Sequence, residues 1–433
     1  MDFRSRNALL ACISLFLWSF GNTLVSTTLI VFLFFQLVEG DFAWRSTVTA
    51  ALLAAPQIFG FVRTVAPKLL ARIRLPLPWQ AGLFYTFSGL FILFVPGLTI
   101  LKGEVPVGWL VFLLVGLWST HHLNEYIGNI ALDTWIGRLI GDREQRGRYY
   151  GRRQRYALIG AIVASGLSFW VKGFFPETNL LILWTLVGAG MIILSNLPFL
   201  FCQDFPERVA DEPTAISPGL QKNDRASSLF GPLKSFSFCL FLAYSGSFSF
   251  IGGLSSSAQF QFVAKDLNIG FEKVLVFIMV MRAAQMGLSF LFGKLSDLGV
   301  SGNRIAMTIS QFSSAAGLLA LAFATKDNGL VLGAYVLWSG YVGLNIGVSK
   351  HLQYLGDATG MRPACFSLYF AVGGICYSSS LILAGIALDV IQQYGSSTAV
   401  CFTHFTYFGS VLLLCAGLRF LLVPIVFLCV RKS

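Results

Sequence analysis

Residues 118–135, "WSTHHLNEYIGNIALDTW", place two histidines, a glutamate, an aspartate and two asparagines inside an otherwise apolar run. At 3.6 residues per turn His122, Glu125, Asn129 and Asp133 share one helical face, with His121 and Asn124 to one side. A carboxylate beside an imidazole can take up and release protons, and amides can hydrogen-bond a polar solute. An ionised carboxylate at the centre of a membrane-crossing helix costs about 2.5–3.5 kcal/mol even on the lenient insertion scale. The stripe must therefore face protein or a water-filled cavity. Glu125 is either a proton carrier or solute contact, or half of a fixed interhelical ion pair with Arg282 of "MVMRAAQMG". Arg282 correspondingly either meets an anionic solute or closes that pair. His122 is a proton partner or a hydrogen-bonded packing residue. Asn129 and Gln285 are solute contacts or the polar glue common between membrane helices. Lys350, near the cytoplasmic end of its span, reads as a topology residue before a site residue, and Arg419 in the last span is open between the same two readings.

The elements that must position these groups follow from composition. Of 433 residues, 55% are hydrophobic and 12% charged, with a mean hydropathy of +0.72. Soluble proteins carry about 25% charged residues, so the ordinary globular class is excluded. The net charge of +11 is dispersed between apolar runs, which points to lipid headgroups and topology and not to nucleic acid. Eight cysteines are scattered singly, with no CxxC or Cys/His spacing, so neither a zinc site nor a disulfide framework is indicated. No Walker loop, GxSxG elbow, HExxH pair or dinucleotide fingerprint is present. The expectation is a non-enzyme without cofactor or metal.

A helix needs about 20 apolar residues to cross the hydrocarbon core. Twelve such segments lie near residues 8–37, 46–66, 79–101, 107–140, 150–172, 180–202, 233–262, 271–293, 304–325, 330–355, 364–388 and 398–430. The fold class expected is an all-α membrane protein of twelve transmembrane helices. Lys and Arg crowd alternate loops, including Arg138 to Arg155 and Arg208 to Lys234, which places both termini on the cytoplasmic side. Residues 203–232, rich in Pro, Ser and charge, read as a cytoplasmic linker between six-helix bundles at 1–202 and 233–433. Six is even, so the two bundles enter the membrane in the same direction and can be parallel repeats. The fourth and tenth segments both end in Gly-Asp, at Gly141-Asp142 and Gly356-Asp357. A shift of 216 residues lays Trp338, Tyr341, Asn345 and Ser349 on His122, Glu125, Asn129 and Asp133.

These features resemble the major facilitator superfamily of secondary transporters. "GKLSDLGVSGNR" is similar to that superfamily's signature between spans two and three, here in the second half, with Gly293, Asp297, Gly302 and Arg304 matching. "DREQRGRYYGRR", with Arg146, Gly147 and Arg148, resembles the basic loop after span four of many bacterial members. The first-half loop "APKLLARIRL" lacks the signature aspartate, leaving the usual charge contact on that side without its acid; Arg63 with Asp133 is a substitute pairing. The resemblance implies that spans one, four, seven and ten line a central cavity, with Trp18, Asn22 and Ser26 on span one and Trp338, Tyr341 and Asn345 on span ten. It implies alternating access for a small solute in the inner (cytoplasmic) membrane; the residues themselves add the expectation of proton coupling through Glu125, with lipid contacts and a monomer favoured over an oligomer. Drug-type efflux and uptake of an anionic nutrient both remain open, as does a non-transporting membrane sensor or assembly partner of the same fold.

Overall fold

The computed structural model describes residues 3–38, 44–139, 143–171, 177–202, 230–326, 329–359, 361–394 and 407–430. The chain begins with α1 (Phe3–Leu24), α2 (Thr27–Leu37), α3 (Arg45–Ile58), α4 (Val62–Leu70) and α5 (Leu77–Leu93). It continues through α6 (Gly97–Ile100), α7 (Val107–Leu139), α8 (Arg143–Val171), α9 (Glu177–Leu194) and α10 (Leu197–Leu200). The second part holds α11 (Phe236–Gln261), α12 (Phe271–Asp297), α13 (Gly299–Ala322), α14 (Leu330–Trp338), α15 (Tyr341–Thr359), α16 (Arg362–Tyr394) and α17 (Tyr407–Cys429). The described residues contain no β-strand. Most of the stretch expected to be a linker, residues 203–229, lies outside them.

Among the described residues, nine helical stretches are long and apolar enough to cross a membrane, which makes this a multi-pass integral membrane protein. The other three apolar segments are helical too, but each is interrupted. The polar stripe breaks the hydropathy of α7. A 3₁₀ turn at Phe59–Phe61 divides α3 from α4, and α8 is apolar only over Arg155–Val171.

Several segments expected to be continuous are broken, each for a local reason. Ser26 adopts extended geometry between α1 and α2, and its hydroxyl accepts from Leu29 N–H at 3.4 Å, starting a new helix. Pro56 inside α3 has no N–H for the Leu52 carbonyl four residues back. That carbonyl instead accepts from Trp118 Nε1 at 2.9 Å, tying α3 to α7. The tenth segment breaks at Ser339-Gly340, where the Leu337 carbonyl accepts from the Gly340 N–H at 3.1 Å and from the Ser313 hydroxyl at 2.5 Å.

Within the first part α1 packs on α8 and α9, and α5 on α7; within the second α11 packs on α16, and α13 on α17. Two seams join the parts, α3 along α16 and α8 along α12. Lipid is as apolar as leucine, so such seams depend on small residues that let backbones approach. A Cβ at Gly374 would lie 2.4 Å from the Gln57 carbonyl oxygen, and one at Gly385 would lie 2.7 Å from Ala50 Cβ. The α3–α16 seam is accordingly in backbone contact.

Candidate functional site

Near the middle of α7, His122 Nδ1 lies 2.8 Å from Glu125 Oε2. His121 Nε2 stands 3.8 Å from the same oxygen. As whole residues His122, Glu125 and His121 are 5%, 8% and 0% exposed respectively. Trp118, one turn before, stacks on His121 and meets His122 edge-on, with ring centroids 5.1 and 4.3 Å apart. Helix α5 supplies the other wall. Ser88 holds His121 Nδ1 through its hydroxyl at 2.7 Å and its carbonyl at 3.1 Å, and the Tyr85 hydroxyl donates to Asn129 Oδ1 at 2.6 Å. Trp18 of α1 lies against Tyr85 at 6.4 Å.

The expected face of α7 therefore splits. Buried His122 and Glu125 group with half-buried Asn129, whereas Asp133 is exposed and pairs with Arg153 of α8 at 3.0 Å. The suggested Arg63 partner has a side chain outside the described residues. The two histidines and Glu125 offer ligand atoms within 4.8 Å of one another. Ligands around a zinc ion at roughly 2.0–2.2 Å stand about 3.3 Å apart. The 2.8 Å His122–Glu125 contact is shorter and is a direct hydrogen bond.

A second group surrounds a cavity of about 240 Å³ between the two parts of the chain. Thr28 and Phe32 of α2 face Ser256, Gln259 and Phe260 of α11 there, with Trp338 of α14 and Tyr377 of α16 completing the wall. Its lining among the described residues includes no formally charged side chain. It lies just below the usual range for ligand sites, about 300 to 1,000 Å³.

Other expected residues fall elsewhere. Arg282 is exposed on α12 and donates to Gln285 Oε1 of its own helix at 3.2 Å, so the Glu125–Arg282 pair is not formed. Glu125 already has His122, on its own helix, as partner. Asn22 is partly buried on α1 and belongs to neither group. Tyr341, Asn345 and Ser349, every fourth residue of α15, are all exposed, and Tyr341 stacks on Phe248 at 6.0 Å. Trp338 precedes the helix break and Tyr341 follows it, so the face expected to join them is not continuous. Arg419 is buried, donating to Ser314 Oγ and lying 4.7 Å over the Phe248 ring.

The signature residues make contacts inside the second part. Asp297, the last residue of α12, bonds Lys350 of α15. Arg304 Nε donates to the Val430 carbonyl at 2.8 Å with its guanidinium 4.6 Å over Phe427, securing the end of α17. A Cβ at Gly302 would lie 2.1 Å from the Leu295 carbonyl, so only glycine permits the tight α12–α13 turn. Gly293 faces open space. Arg146, Gly147 and Arg148 lie in the first turns of α8, and nothing further is described of their side chains; Asp142 lies outside the described residues.

No family model matches the chain, and no curated protein matches it. Solved structures do. The xylose transporter XylE from E. coli, in a partially occluded inward-open conformation, superposes with a TM-score of 0.67 at 11% identity, covering 100% of both chains. A point mutant of the nucleoside transporter NupG gives 0.63 at 16% identity over 100% of both chains, and unmutated NupG gives 0.58 at 15%. The chain has the major facilitator fold. At these identities the likeness concerns backbone architecture alone. Within the major facilitator fold, the groups sequence reading missed are Tyr85 and Ser88, which stand three residues apart in "YTFS" and so share a face of an otherwise apolar span. That spacing was their one signal.

Proposed function

We propose that the protein is a secondary transporter that moves a small solute by alternating access and couples it to protons through Glu125. In this reading the chain has twelve spans in two parallel six-helix repeats, 1–202 and 233–433, joined by the 203–232 linker. Both termini face the cytoplasm, across the inner (cytoplasmic) membrane. Two solved transporters of the same architecture support the transport class.

The observation that carries the coupling is the His122–Glu125 contact, made by buried groups midway along a membrane helix. A carboxylate kept there with an imidazole partner is suited to hold a proton and release it when the site is rewetted. The inter-half cavity supports a solute seat separate from the proton store. Its rings, amide and hydroxyls without formal charge favour an uncharged, ring-bearing solute over an anionic nutrient. Asn345 and Tyr341, exposed on α15, line the approach to it in this reading. The Arg282–Gln285 pair then serves α12 and not the solute.

A thermal-shift screen of the purified protein against uridine, xylose and malate at two pH values tests this. Stabilisation by a neutral ring compound is expected. Stabilisation by malate alone would favour the anionic reading, and the absence of solute-dependent flux in liposomes would favour a sensor or assembly partner.

A further inference from the structure

Asp389, near the end of α16, is a buried carboxylate that the transport reading does not use. Its Oδ1 accepts from the Ser46 backbone N–H at 2.8 Å and its Oδ2 from the Thr47 N–H at 2.7 Å. These donors are the free first-turn amides of α3, in the other half of the chain. Helix N-termini leave such amides unsatisfied and carry partial positive charge. Trp44, the residue at the cap position, provides no side-chain bond. The cap of α3 is thus supplied across the interface by residue 389. The carboxylate reaches because Gly385, one turn earlier, lets the two backbones touch; a Cβ there would stand 2.8 Å from the Ser46 carbonyl.

The same end of the molecule is plugged by rings. Phe32 and Phe35 of α2 pack on Phe260 of α11 at 5.8 and 6.1 Å, and Phe32 and Phe260 also roof the inter-half cavity. At the opposite end, near the amino terminus, the ion pairs described stay within one half: Asp133 with Arg153, and Asp297 with Lys350.

We propose that Asp389 is the latch closing the transporter at the face opposite its amino terminus, and that this contact breaks whenever that face opens. Charge-assisted bonds to two amides are strong while the seam is dry and are replaced by water once it parts. While both bonds hold, the latch favours closure at this face. The inference rests on alternating access, but its test needs neither solute nor transport.

Spin labels at Glu104→Cys and Lys326→Cys, both exposed on far-face loops, report the separation of the halves by double electron–electron resonance, with accessible native cysteines replaced by serine. The unmodified latch should give a predominantly short distance. Asp389→Asn should raise the long-distance fraction, and Asp389→Ala should raise the open-to-closed ratio about tenfold or more. Unchanged distances in both variants, with protein monodisperse, would overturn the proposal. So would loss of folding in both, because Asp389 would then be a structural cap only.

Discussion

His122 and Glu125 hold each other at 2.8 Å one turn apart on α7, inside a wall made by Trp118, Ser88 and Tyr85. The pair is local in sequence, so it travels with one helix as a unit. In the proposed mechanism the pair therefore moves with its half as that half rocks.

Tyr85→Phe removes the donor to Asn129 and leaves a half-buried amide oxygen without that partner. We expect a loss of about 0.5–1.5 kcal/mol in stability, read as a lower unfolding midpoint in detergent, with fold and oligomeric state unchanged. An unaltered midpoint would show that Asn129 is satisfied elsewhere.

Two signature glycines should behave oppositely. Gly302→Ala drives a methyl into the Leu295 carbonyl and should destabilise by about 1–3 kcal/mol or more. Gly293→Ala meets open space on a helix and should be neutral or stabilising by up to about 1 kcal/mol. Unfolding midpoints of the two variants side by side check this.

Arg304→Ala should loosen the end of α17, since the Val430 carbonyl loses its donor and Phe427 its stacked cation. Faster hydrogen exchange confined to the last turn of α17 is the expected signature. Uniformly faster exchange throughout α13 would instead assign Arg304 to the α12–α13 turn.

Gln259→Ala and Trp338→Ala, in the cavity lining on α11 and α14, should each weaken binding of a neutral ring solute about tenfold or more while leaving its pH dependence intact. Isothermal titration at two pH values separates the effects. A changed pH dependence would merge the proposed solute and proton sites.

The membrane class and the grouping of His122, Glu125 and Asn129 were legible in the sequence, because hydropathy and helical period are local properties. The placement of Asp133 was not: it shares the period of the stripe but sits a turn or two closer to the end of α7, where Arg153 reaches it. Arg282 was read as a counter-ion because it is the cation at similar depth, yet pairing across helices depends on rotation that no single sequence states. Tyr85 and Ser88 were hidden because two polar groups in an apolar span are ordinary. The breaks at Ser26 and Gly340 escaped notice because hydropathy averages over a kink. Asp389 and Ser46 stand 343 residues apart, and only the folded seam brings them together.

Proton-driven uptake of radiolabelled uridine or xylose into proteoliposomes, by the native protein and by Glu125→Gln, tests the central claim most directly. The account predicts that the native protein concentrates the solute when a pH gradient is imposed, whereas the variant equilibrates it without concentrating it. Equal accumulation by the variant, or no gradient-dependent uptake by the native protein, would contradict the account.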